Sequence, residues 1–250
     1  MIEDLNVILE QGKSVLIKNV QFLSAKDYIQ PFVDRMDKLN AIYRCNVKLA
    51  DQISITEGSQ NVVYTRVHIQ AILPEEYYYE NECRKVVGMI YGLDTRKPVA
   101  KFYIGNLDKN KNLIVFDTEA LRTQEIEDSS ALDYSCIKEL LELTDNTEVL
   151  LNQMKGIYYS EDNMITNLGE WIDYTLSGVY PSDYGIVKLA NSLPITAYKM
   201  LMKNKDSDYY CETDPDLFTI YTALLQCVTD ENDLINSFEK TILIKRMLKL

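Results

Sequence analysis

Residues 61–117 constrain the fold more than any other stretch. Val63, Val67, Ile69 and Ala71 fall on one side of an extended segment, and Tyr64, Arg66, His68 and Gln70 fall on the other. Successive side chains of a pleated backbone point to opposite faces, so this alternation predicts a half-buried strand over 62–73. Three apolar runs follow, at 86–93, 99–104 and 113–116, each closed by a turn signal. An antiparallel meander is expected, with a loop at 105–111. Gly88 and Gly92 lie inside the first run, where glycine marks a bulge or a close approach of another group to the backbone.

Upstream, residues 3–12 suit a short helix and 15–17 and 20–23 short extended pieces. Ser24 with Asp27 three residues on suits a capped helix start. Tyr28, Phe32, Met36 and Leu39 then share one helical face, with Pro31 inside the pattern as a kink. Residues 43–50 alternate again as a strand, 51–60 form a polar loop, and 75–82, rich in Glu and Tyr, form a projecting loop. From residue 118 the strand signal stops and helices follow. Ser129 or Ser130 caps one through 140–143, Thr147 starts another, and Ser160 caps a third. Short helices flank Pro194. Asp214 and Pro215 open the next, by the preference of Asp for the cap and Pro for the first helical position. A last helix covers 231–248. Strands first and helices after predicts an α+β fold, not alternating βαβ units. The expected division is an antiparallel sheet part with one helix at 1–120 and an acidic helical part at 121–250, either separate or packed as one unit.

Charge is divided along the chain. Residues 1–116 hold 14 acids and 15 bases, and residues 117–250 hold 24 acids and 11 bases. The second half therefore repels nucleic acid and attracts basic partners. Tyrosine is abundant, 18 against 6 Phe and 1 Trp, and its stiff amphipathic ring suits contact surfaces. Acids and tyrosines coincide in two segments. One contains Glu75, Glu76, Tyr77, Tyr78 and Tyr79. The other contains Asp206, Asp208, Tyr209, Tyr210 and Glu212. These are the expected partner-binding residues.

The chemistry available is narrow. His68 is the one histidine, and it reads as an ordinary surface or sheet-edge residue. Histidine-dependent triads and most zinc sites would have to use it. The five cysteines are widely spaced with no C-x-x-C, so reduced thiols are expected. No phosphate-cradling G-x-x-x-x-G-K-[ST] or G-x-G-x-x-G is present. These features predict no catalytic residues, no metal and no cofactor. No apolar run reaches the ~18–20 residues of a membrane span, and the start Met-Ile-Glu-Asp has no leader character, so a cytoplasmic protein is expected. The alternative is single-stranded nucleic-acid binding on the sheet through Arg66, Arg96, Lys97 and Lys101 beside tyrosines.

Residues 66–74 (Arg-Val-His-Ile-Gln-Ala-Ile-Leu-Pro), and 91–98 (Tyr-Gly-Leu-Asp-Thr-Arg-Lys-Pro) leading into 112–116 (Asn-Leu-Ile-Val-Phe), resemble uncharacterised proteins of tailed bacteriophages, particularly those of gut Bacteroidales hosts. The resemblance covers residues 15–127 and brings no catalytic residue with it. It implies expression inside a bacterium and three roles: interference with a host protein, help in DNA metabolism, or a place in the virion.

Overall fold

The computed structural model describes residues 5–6, 9, 15–17, 20–49, 65–74, 78–79, 83–92, 99–115, 120–126, 130–143, 147–176, 184–229 and 234–248. The fold is α+β, with a curled antiparallel sheet in the N-terminal half and helices in the C-terminal half. Two compact units interleave in sequence. The sheet unit takes Met1–Asn106, Asp117–Thr144 and Asn232–Ile235, and the helical unit takes Leu107–Phe116, Asp145–Glu231 and Asn236–Leu250.

In the sheet unit, β1 (Val15–Ile17) and β2 (Val20–Phe22) pair as a separate hairpin. Helix α1 (Ala25–Asp37) follows. Ser24 caps it as expected: the Asp27 amide donates to Ser24 Oγ at 3.1 Å, and the Ser24 amide donates to the Asp27 carboxylate at 3.2 Å. Pro31 lies within the helix. The main sheet then runs through β3 (Ile42–Leu49), β4 (Thr65–Ile72), β5 (Tyr78–Tyr79), β6 (Cys83–Gly92) and β7 (Val99–Leu107). Its spatial order is β3-β4-β6-β7, with β5 on β6. Strand β7 continues through Leu107, so the expected loop at 105–111 shortens to a turn in which the Lys111 amide reaches the Asp108 carbonyl at 2.9 Å.

Register places Val67, Ile69 and Ala71 of β4 beside Tyr91, Met89 and Val87 of β6. All are buried, and with Phe102 of β7 they form the floor of the core. Helix α1 covers this face. Tyr28 packs on Tyr91 with ring centroids 5.2 Å apart, and Phe32 packs on Phe102 at 6.4 Å. Tyr134 closes the cluster edge-on to Phe102, and its hydroxyl donates to the Tyr28 carbonyl.

The strand signal does not end at 118. Strand β9 (Leu121–Glu125) pairs antiparallel with β7, Val99 opposite Glu125 and Tyr103 opposite Leu121. Its sequence, Leu-Arg-Thr-Gln-Glu, has no apolar alternation because neither face is deeply buried. Helix α2 (Ser135–Glu142) begins later than Ser129 or Ser130, after the Asp133 carboxylate takes the Ser135 amide at 2.8 Å.

The helical unit holds β8 (Leu113–Ile114), α3 (Thr147–Met154), α4 (Glu161–Leu176), α5 (Tyr184–Met202), α6 (Leu217–Val228) and most of α7 (Leu234–Met247). Ser160 precedes α4 and its hydroxyl accepts from the Asn163 amide at 3.3 Å. Two expectations fail here. The helices flanking Pro194 are one helix, α5, with Pro194 inside it. Helix context outweighs a single proline when flanking turns remain bonded and packed, here with Leu193 and Ala197 buried. The cap of α6 is Asp216, not Asp214. Asp216 Oδ1 accepts from the Thr219 amide at 2.8 Å, and Pro215 stays outside the helix.

Candidate functional site

The acidic segment expected to bind a partner lies between α5 and α6. Its backbone is held from within. The Cys211 amide donates to the Leu201 carbonyl at 2.8 Å, the Tyr210 amide to the Ser207 carbonyl at 3.0 Å, and the Tyr209 amide to Ser207 Oγ at 3.2 Å. Asp206, Asp208, Glu212 and Asp214 are exposed. Tyr209 proves to be a brace more than a contact. Its hydroxyl accepts from Asn110 Nδ2 at 3.0 Å and donates to Gln226 Oε1 at 3.3 Å. Burial and the nearby Asp108 raise its pKa, so it stays protonated. Tyr210 is half-buried.

A second strap anchors the same region. Glu161, at the start of α4, accepts from the Tyr198 hydroxyl and from Lys203 Nζ, both at 2.5 Å. The hydrogen bond from Lys203, then that from Tyr198, holds the Glu161 carboxyl below its usual range. At the other end of the loop, residues 157–159 lie antiparallel to 215–217. The Leu217 amide donates to the Ile157 carbonyl at 2.7 Å and the Tyr159 amide to the Pro215 carbonyl at 3.0 Å. Between these bonds Tyr158 sits opposite Asp216, and its side chain is 67% exposed. Sequence reading missed Tyr158. The only signal was the run Ile-Tyr-Tyr at 157–159 between two helices.

The sheet holds a polar cluster that the alternation did not reveal. His68 is not a surface or edge residue: it is fully buried, as are Gln70 and Tyr103. Both faces of β4 are covered, so the alternating pattern marks two kinds of buried surface. Tyr103 belongs to β7, yet its hydroxyl lies 2.7 Å from His68 Nε2 and 3.0 Å from Gln70 Nε2, both on β4. It reaches over β6 at Gly88, which sits opposite Gln70 in register. A Cβ at Gly88 would lie 2.0 Å from Tyr103 Cε1. The glycine is thus a close-approach position.

With Gln70 as donor, the Tyr103 hydroxyl hydrogen is left for Nε2, which requires a neutral imidazole carrying its proton on Nδ1. Burial lowers the His68 pKa to about 3, a hydrogen bond with the Leu234 backbone opposes this, and the Arg44 charge adds to the lowering. Burial also raises the Tyr103 pKa. Burial holds both groups neutral, and both residues are 0% exposed, whereas a site for a solute needs access. The cluster serves the sheet.

The remaining expected residues are placed as follows. Tyr78 and Tyr79 form β5, opposite Arg84 and Cys83 of β6, so this part of the expected loop is paired strand. Glu75, Glu76, Tyr77, Arg96 and Lys97 lie outside the described residues. Arg66 stands opposite Lys48 on β3 and Gly92 on β6, and half-buried Lys101 stands opposite Thr123 of β9. Arg44 and Lys85 are buried. Cys45, Cys83 and Cys136 are buried and Cys211 and Cys227 half-buried, none of them in a disulfide. Among the described residues no three His, Cys, Asp or Glu side chains gather to hold a metal ion, and no helix is long and apolar enough to cross a membrane. Comparison with protein-family models, with curated proteins and with solved structures finds no significant match.

Proposed function

We propose that the chain is a non-catalytic binding protein that grips a basic partner protein through the acidic, tyrosine-bearing loop 206–216. The supporting observation is the contrast within that loop: its backbone is bonded internally while Asp206, Asp208 and Glu212 stand exposed. Charges fixed before binding lose little freedom on association, and complementary charge steers encounter and selects the partner. The likeness to tailed-phage proteins favours a bacterial host protein as that partner, inhibited in the host cytoplasm.

The test is affinity purification from bacterial lysate with and without nuclease treatment, read by mass spectrometry, with wild type and a variant carrying Asp206→Lys, Asp208→Lys and Glu212→Lys. Wild type should retain one protein in stoichiometric amount and the variant should lose it, with both melting alike. A partner that survives the reversal, or recovery of nucleic acid in place of protein before digestion, refutes the reading.

A further inference from the structure

We infer that the bridge at residues 157–159 presents an open main-chain edge at Tyr158 that accepts an extended, basic peptide segment of the partner, anchored on Tyr158. The inference rests on the binding reading above and names the kind of partner segment. In an antiparallel bridge whose hydrogen bonds are made by the two neighbours, the central residue points its own N–H and C=O away from the partner strand. Ile157 and Tyr159 make those bonds here. The main-chain groups of Tyr158 therefore face outward, and among the described residues nothing bonds them.

The side chains beside this edge suit a peptide. Tyr158 is 67% and Ile157 45% exposed, an adjacent pair of large side chains held on a fixed backbone. Glu212 and Asp214 are exposed in the irregular segment that leads into the bridge. Added strands take affinity from main-chain hydrogen bonds and specificity from alternate side chains. The ladder favours an extended segment, Tyr158 an apolar or long-stemmed residue, and the carboxylates Lys or Arg.

The experiment selects binders from displayed, randomised short peptides against the whole protein. Recovered sequences should be rich in Lys and Arg and free of central proline, which cannot donate to a ladder. They should bind Tyr158→Ala about tenfold more weakly, the size of a lost aromatic anchor, while Tyr158→Phe binds normally. The exposure of Tyr158 leaves the fold intact in both variants, checked by melting. Basic peptides that bind Tyr158→Ala equally and tolerate central proline, but are lost on the triple reversal of the loop, overturn this inference and leave the acidic-loop reading standing. Peptides indifferent to both changes, or no enrichment of basic sequences, overturn both.

Discussion

Gly88→Ala should unfold the sheet unit's polar cluster from one methyl group. The added carbon would lie 2.0 Å from both Cε1 and Cζ of Tyr103. Tyr103 cannot swing clear, because the ring is fully buried and its hydroxyl is fixed by His68 and Gln70. Overpacking of this kind costs ~1–3 kcal/mol. Displacing the hydroxyl strands two buried partners, at ~1–3 kcal/mol each. The sum is about 3–9 kcal/mol, against a whole-domain stability of ~5–15 kcal/mol. The single tryptophan, Trp171, lies on α4 and reports the helical unit, so the assay is amide hydrogen exchange of β4 and β6 across a urea series. In a Tyr103→Leu background the obstructing ring is gone. The same change should then cost at least ~2 kcal/mol less, as residues in direct contact couple. A loss under ~1 kcal/mol in the wild-type background, or strict additivity of the two changes, would refute the proposed crossing of β6 by Tyr103.

Two further outcomes follow from local geometry. His68 is neutral when folded because its pKa is lowered to about 3 from 6.5, so the unfolded chain binds more protons between those values. Stability should therefore fall as pH drops through that window, with a slope of at most ~1.4 kcal/mol per unit from this residue. Urea titrations of wild type and His68→Gln from pH 4 to 8 isolate that term, and equal slopes would dismiss it. Asp216→Ala removes the cap of α6 and should cost ~0.5–2 kcal/mol, with Asp216→Asn close to neutral. The Trp171 melting curve reads both, and an unchanged midpoint for Asp216→Ala would count against the cap.

The elements legible in the sequence are those whose signal is local. The Ser24–Asp27 cap, the alternation of β3 and β4 and the apolar run of β6 each carry their own pattern, and each forms. Strand β9 was illegible because its order comes from a neighbour. Its half-exposed Leu121 and exposed Thr123 and Glu125 need no apolar rhythm once β7 supplies the ladder. Pro194 misled in the opposite sense, since the packing of a 19-residue helix with Leu193 and Ala197 buried outweighs the hydrogen bond that an interior proline removes. His68 failed for a third reason. Alternation separates two faces of a strand without saying whether the polar face meets water, and here His68 and Gln70 meet the Tyr103 hydroxyl, whose ring lies against Gly88.

The same logic divides the candidate site. Composition located the acids at 206–216, because exposed charge is written residue by residue. It could not assign the tyrosines. Tyr209, inside the expected patch, spends its hydroxyl on Asn110 and Gln226, which lie 99 and 17 residues away in sequence. Tyr158, outside it, is presented by a bridge to Asp216. An amphipathic residue is a brace or an anchor according to which distant groups reach its ring and hydroxyl first. The proposed contact surface therefore depends on the pairing of 157–159 with 215–217, and its acids were readable in the sequence while the exposure of Tyr158 comes only from that pairing.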